Sequence, residues 1–298
     1  MDIEESDELV VKSNKLIEAS YRLTMVESQL ILFAITQARE QSVMLTHDTT
    51  VSIDAHAFAR QFELNPSSVY SQLQEACDTM FNRYVVIADT HVKSGKPRRV
   101  RSRWISDVAY VDGAGIVEIS FAKKVIPYIT RLEKQFTSYR LASVSKMTSV
   151  YAVRVYELLT QYVRIGQRRF ALAELRKMLD IGDKQYVQIH DLKARVLDVA
   201  VKQINKHSDI KVEYSQRKHG RAVVEIIFSM RVKDAKPTKP AKPKAKPVQL
   251  GLTGVEPVAK SSDPAVLAER EKTLAAARVK PKKPTADVEY DPVSDAPI

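Results

Sequence analysis

The chain has 298 residues, with 47 Lys plus Arg against 36 Asp plus Glu for a net charge of +11, and 44% of it is hydrophobic; at roughly 100–200 residues per domain, that length predicts two packed domains and room for a tail. No run approaches the roughly 18 uninterrupted apolar residues of a membrane-spanning helix, the acidic start (Asp2, Glu4, Glu5, Asp7, Glu8) lacks the regions of a secretion signal, and the lone Cys77 can form no internal disulfide, so a soluble cytoplasmic protein is expected. With 8 glycines, no phosphate-cradling glycine motif and six scattered histidines, the sequence offers nothing that reads as an active site, and no enzyme, cofactor or metal is expected.

In chain order, the first clear helix opens at Thr24, where TMVE is a capping box: the threonine hydroxyl accepts from the third helical amide and Glu27 reaches back. Val26, Leu30, Phe33 and Gln37 give it one mostly apolar face. A second helix follows from Asp54, its cap, with Ala55, Phe58, Ala59 and Phe62 on one side. Asn65-Pro66 starts a third, since proline at the first position loses no internal hydrogen bond, and Leu73, Ala76, Cys77 and Met80 recur at i, i+3, i+4 and i+7. Strand-like runs come next: Tyr84 to Ala88, Val100 to Val111 and Ile116 to Phe121, the last two joined by the turn Asp112-Gly113.

The same order then recurs. A helix from Thr148 presents Val155, Leu158, Leu159 and Tyr162, a second spans Leu172 to Leu179, and a third repeats the spacing with Leu197, Ala200, Val201 and Ile204. Ile210, Val212 and Tyr214 alternate out, His219-Gly220 turns, and Val224, Ile226 and Phe228 alternate back. Seven more residues separate the second and third helices here than in the first copy, which implies a longer recognition element or a larger loop before it. Three helices and a hairpin, written twice, predict an α+β, mostly helical fold of two tandem winged-helix domains.

Ten of the 13 prolines lie after residue 233. Four segments are therefore expected: an acidic disordered start at 1–8, an N-terminal winged-helix domain at 9–140, a C-terminal one at 141–232, and a disordered Pro/Lys-rich tail at 233–298 with a short helix at 264–279 capped by Asp263. The tail carries 13 Lys plus Arg and 9 Asp plus Glu, and the first eight residues carry −5, which leaves +12 on residues 9–232. The positive charge belongs to the folded body.

A helix-turn-helix lays its second helix in the major groove while a wing reaches phosphate or the minor groove, so cations should sit where the core does not need them. In the second copy Arg195 and Lys202 fall opposite the apolar stripe, with Gln188 on the same outer side. Lys193 stands four residues before Leu197 and so shares the apolar face. Lys184 in the preceding loop and Arg217, Lys218 and Arg221 at the wing tip add charge. Either Arg195 or Lys193 is the expected reader of guanine, since arginine donates two parallel bonds to O6 and N7. In the first copy Ser67, Ser68, Ser71 and Gln72 open the third helix and suit phosphate or water-mediated contacts. The charge there lies in KSGKPRRVRSR, taken as the first wing, with Lys93, Lys96, Arg98, Arg99, Arg101 and Arg103 and no acid among them. Cations so crowded call for an anion such as DNA phosphate. Cys77, Met80, Phe58 and Phe62 are expected to be core, His190 and His219 surface, and Trp104 an anchor of the wing.

LVVKSNKLIEASYRLT before the first helix, FTSYRL followed by YAVRVYELL, and YVQIHDLKARVLDVAVKQIN followed by GRAVVEIIF, in that order, resemble the Rep initiators of theta-replicating, iteron-containing plasmids, the RepE/RepA type. The resemblance covers residues 9 to 230 and implies two winged-helix domains on one repeated origin site, most base specificity lying in the second. It implies self-association too: a monomer that opens the origin and a dimer that represses its own promoter. Host DnaA and the replicative helicase are its implied partners. The family's recognition helix falls on Asp191 to Asn205, which adds weight to Lys193 and Arg195 without choosing between them. In the tail, Gln249-Leu250-Gly251-Leu252 looks like the peptide with which bacterial proteins dock on the sliding clamp, although Thr253 stands where phenylalanine would fill the pocket. The alternatives are a dimeric transcriptional repressor with no replication role and a nicking rolling-circle enzyme, which clustered histidines would favour and this chain lacks.

Overall fold

The computed structural model describes residues 8–40, 45–91, 93–130 and 135–233, all within one compact unit. The expected tail helix and the clamp-like Gln249, Leu250 and Leu252 lie outside the described residues, as do residues 1–7.

The chain enters as β1 (Leu9–Ser13), a one-turn helix α1 (Asn14–Ile17) and a two-residue strand β2 (Ser20–Tyr21). The helix α2 (Met25–Glu40) follows, and the capping box is closed: Thr24 N donates to Glu27 Oε2 at 2.6 Å while Glu27 N donates to Thr24 Oγ1 at 3.2 Å. The apolar face expected on α2 is too narrow. The helix is buried almost all round from Glu27 to Thr36, because β1, β3 and α4 pack on different sides of it. Glu27, fully buried, also accepts from Thr79 Oγ1 at 2.7 Å and Arg83 Nε at 3.1 Å, which leaves its charge compensated.

After β3 (Thr50–Asp54) come α3 (Ala55–Phe62) and α4 (Pro66–Met80). Both caps are as the sequence indicates, with Ala57 N on Asp54 Oδ1 at 2.6 Å and Ser67 N on Asn65 Oδ1 at 3.1 Å. Phe33, Phe58 and Phe62 meet in a ring cluster with centroids 4.8 to 6.2 Å apart, and Leu73, Cys77 and Met80 are buried beside them. Burial pushes the Cys77 thiol up to about 12, so it is an inert core residue.

Two antiparallel hairpins follow, not one. β4 (Tyr84–Thr90) pairs with β5 (Pro97–Arg103) and, on its other side, with β2. β6 (Ile105–Val111) pairs with β7 (Ile116–Phe121), which pairs in turn with β3. The wing of the first domain is therefore β6–β7, closed by residues 112–115 with Gly113 at φ +79°. KSGKPRRVRSR belongs to the inserted β4–β5 hairpin, which corrects its assignment as the wing. Trp104 sits between the two hairpins, fully buried and edge-on to Tyr21 at 4.8 Å, which makes it a core anchor.

After a short 3-10 turn (Ile126–Tyr128), β8 (Phe136–Arg140) runs back antiparallel to β1, and Leu141 N extends the ladder to Glu8 O at 2.8 Å. The second domain repeats the plan: α5 (Ala142–Ser145), α6 (Val150–Thr160), β9 (Gln167–Ala171), α7 (Leu172–Met178), the recognition element, then β10 (Ile210–His219) and β11 (Ala222–Val232). Its sheet order β10-β11-β9 matches β6-β7-β3 in the first domain, so the duplication read from the helices extends to the strands. The recognition element starts as α8 (Ile189–Leu192), widens to π geometry over Lys193–Leu197 and continues as α9 (Asp198–His207). The additional residues between the second and third helices form the loop before it.

The two domains join through residues 12–21. Lys12 on β1 and Arg154 and Glu157 on α6 are each no more than 3% exposed. Lys12 Nζ donates to Glu157 Oε1 at 2.7 Å, Tyr139 Oη donates to the same oxygen at 2.6 Å, and Arg154 donates to Glu157, to Tyr21 Oη and to the carbonyls of Ala19 and Met178. Burial alone would raise the Glu157 carboxyl, but the Lys12 and Arg154 charges outweigh it and hold the group below its ordinary value. Arg168 on β9 reaches Glu18 at 2.6 Å, and Ser20 reaches Asp180 at 2.9 Å.

Candidate nucleic-acid interface

In the second domain, recognition helix and wing are locked by Tyr214 on β10, whose hydroxyl donates to Asp198 Oδ1 at 2.6 Å. The first domain repeats the lock one turn further along its helix, with Tyr110 Oη on Asp78 Oδ1 at 2.6 Å and Tyr70 Oη on Asp112 Oδ1 at 3.2 Å. The Tyr214–Asp198 and Tyr110–Asp78 bonds are set back from the helix N-termini, whereas Tyr70 ties the second turn of α4 to the wing turn at Asp112.

Arg195, Lys202 and Gln188 are exposed, on the outer side that α-helical spacing assigns them. Lys193 is half-buried and lines a groove of about 340 Å³ shared with Ala194, Gln216, Lys218 and Arg221 of the wing side. Lys193 is the first residue of the π segment, and it reaches this groove from the edge of the apolar stripe. Arg195 lies on the opposite flank, in a depression with Lys184, Val187, Gln188 and Asp191. Lys184, Lys193, Arg195, Lys202, Lys218 and Arg221 have no side-chain partner among the described residues. Arg217 is engaged by Glu225 at 2.9 Å. His190 and His219 are exposed, the former 3.4 Å from Asp191.

Sequence reading missed the side chain that shapes the loop before this helix. Arg176 on α7 donates to the carbonyls of Tyr186 (3.0 Å), Gly182 (3.0 Å) and Gln185 (2.6 Å). Tyr186, at φ +46°, packs edge-on to Tyr151. An arginine with three carbonyls around it fixes the loop carrying Lys184, Val187 and Gln188. Its only sequence signal is a cation on a short helix before a loop rich in polar residues.

In the first domain, the polar side chains that open α4 bond to one another or to the helix backbone. Ser67 Oγ donates to Asn65 Oδ1 at 2.9 Å, Ser71 Oγ to Ser68 O at 2.8 Å, and Gln72 Nε2 to Ser68 Oγ at 2.9 Å. On the inserted hairpin the strand pleat separates the arginines. Arg99, Arg101 and Arg103 share one face of β5, while Arg98 points the other way and is paired with Asp89 at 2.6 Å. Asp89 also takes Lys15 and Tyr128, and these bonds hold its carboxyl well below the usual range against the upward push of burial. Arg101 stacks on Tyr84 at 4.2 Å and Arg103 on Phe81 at 4.9 Å. Arg98, Arg101 and Arg103 are thus accommodated by Asp89, Tyr84 and Phe81 without an external anion. Arg99, with Lys93 and Lys96 at the tip, is exposed and has no side-chain partner among the described residues.

Among the described residues no group of three or more His, Cys, Asp or Glu is placed to hold a metal, and no helix is long and apolar enough to cross a membrane.

Fold and site together define a DNA-binding protein of tandem winged-helix type, as the sequence indicates. Residues 9–160 match the family described as "Initiator Replication protein, WH1" and residues 171–230 that described as "Initiator Rep protein, WH2". The chain belongs to this family of replication initiators. It is 25% identical over 232 residues to a replication initiation protein of Escherichia coli, covering 76% of this chain and 70% of that one. It is 24% identical over 226 residues to an uncharacterized 27.6 kDa protein of the same organism, covering 73% and 93%. The crystal structure of the Pi initiator protein in complex with iteron DNA superposes with a TM-score of 0.60 over 78% of this chain and all of that one, at 19% identity, a likeness of fold.

Proposed function

We propose that this chain initiates plasmid replication by binding the repeated sites of its origin, iterons, as duplex DNA through both winged-helix domains. The observation that carries the reading is the second recognition helix. On a family fold shared with a protein solved on iteron DNA, it holds Lys193, Arg195 and Lys202, which like Lys218 and Arg221 at the wing tip have no acidic partner among the described residues. Phosphate contacts set register and base-edge contacts set sequence. The first domain adds contacts through Ser67, Ser68 and Gln72 on α4 and through Lys96 and Arg99 on the inserted hairpin.

Several copies on adjacent repeats bend the duplex, at a cost of about 1–6 kcal/mol per site that protein contacts offset, and so favour opening of a neighbouring AT-rich stretch. The work is grip and distortion, with no bond made or broken. The monomer is the form that opens the origin and the dimer the form that represses the promoter, with host DnaA and replicative helicase recruited next and the tail at Gln249, Leu250 and Leu252 available to the sliding clamp. Footprinting on DNA flanking the gene should show protection of direct repeats, and deletion of the gene from a minimal plasmid should abolish its maintenance. Protection of an operator alone, with maintenance intact, would leave a repressor.

A further inference from the structure

The second recognition helix has two flanks of different chemistry. On the wing flank three cations, Lys193, Lys218 and Arg221, converge on one groove. Among the described residues the carboxylate lining that groove is Asp198, which is already taken by the Tyr214 hydroxyl at 2.6 Å. On the loop flank Arg195 shares its depression with Val187, which is 70% exposed. An apolar side chain so exposed is unremarkable on a mobile tip, but Val187 follows directly on the segment pinned by the three Arg176 bonds. Its position beside Arg195 is fixed before any ligand arrives.

With the helix in the major groove, the strand of backbone that bounds that groove passes between helix and wing, and the base edges face the helix itself. In the major groove, guanine offers two acceptors and thymine offers an apolar methyl. We propose that the two flanks divide the work: the wing flank, Lys193 with Lys218 and Arg221, holds a backbone phosphate, and the loop flank reads base edges, Arg195 at a guanine and Val187 at the methyl of a neighbouring thymine. Of the two side chains that the sequence leaves as alternatives, Lys193 is then the grip and Arg195 the reader. The division rests on the reading of this domain as a duplex-binding one.

The test uses the full chain and three duplexes: the footprinted site, the same site with every thymine replaced by deoxyuridine, and a random sequence. Wild type should bind the deoxyuridine site about fourfold more weakly for each methyl it buries. Val187→Ala should bind the thymine and deoxyuridine sites alike, and Val187→Ile should restore the difference. Lys193→Ala should weaken binding to site and random duplex by the same factor and lower the slope of log affinity against log salt by about 0.9. A thymine dependence that survives Val187→Ala, or a Lys193→Ala variant that loses its preference for the site, overturns the division while leaving duplex binding intact. A wild type that retains all three duplexes equally overturns the parent reading, and this one with it.

Discussion

The two recognition helices occupy the same place in the same topology and carry opposite chemistry. At the start of α4 the hydroxyls and amide of Ser67, Ser71 and Gln72 are engaged with Asn65 and Ser68, so DNA must compete with bonds already made. On the π segment Lys193 and Arg195 have no side-chain partner among the described residues, beside a loop held by Arg176. A scaffold duplicated with its strand order intact thus carries one helix whose polar side chains are engaged and one that bears cations, and the proposed function gives positioning to the first and selection to the second. Geometry supplies the place of a contact, and the unsatisfied side chain supplies its value.

The comparison breaks first where the domains join. Glu157→Gln should cost about 3–5 kcal/mol of unfolding free energy, because it leaves the Lys12 and Arg154 charges buried without their counter-charge. Because both domains share that cluster, denaturation of residues 8–233 should remain a single transition in the wild type and split in the variant. The pH dependence follows the depressed Glu157 carboxyl. Its contribution is complete above the ordinary value of 4.5 and is lost as pH falls through the lower folded value, so Glu157→Gln should flatten the acid limb of the stability profile. On the π segment, Arg195→Ala should reduce preference for the cognate over a random duplex by roughly 1–3 kcal/mol, measured by competition binding. Arg99→Ala on the inserted hairpin should weaken both duplexes and lower the salt slope by about 0.9, with preference unchanged. The smallest effect belongs to α4: Ser67→Ala should change affinity for either duplex by about 0.5 kcal/mol or less, and a larger loss would give α4 a share in selection.

Local signals made much of this legible. The capping box at Thr24, the caps Asp54 and Asn65, the repeated i, i+3, i+4, i+7 stripes and the glycine turn at 220 each report short-range chemistry, and each stands in the structure. β3 was also within reach, since Val51 and Ile53 alternate with polar neighbours just before Asp54. β9 was hidden because the inward position next to Phe170 is Arg168, a buried cation that reads as surface. The exchange of hairpins has a different cause. A strand run from Val100 to Val111 looks continuous, and only the pairing of β5 with β4 and of β6 with β7 reveals that Trp104 divides it. The Lys12–Glu157 pair spans 145 residues, beyond any periodicity. The place of Lys193 in the groove beside the wing depends on Gln216, Lys218 and Arg221, more than 20 residues away, which residue spacing does not report.

The ribbon of β1 and β8 bears on how the protein can be taken apart. A fragment ended at residue 140 keeps Lys12 and Tyr139 but discards the carboxylate between them, so it exposes a stranded ammonium on a surface shaped to meet α6. Carried on to residue 160, the same fragment takes its counter-ion along. Any cargo fused ahead of Leu9 must likewise leave that strand zipped to its partner, or the seam between the halves opens from the end.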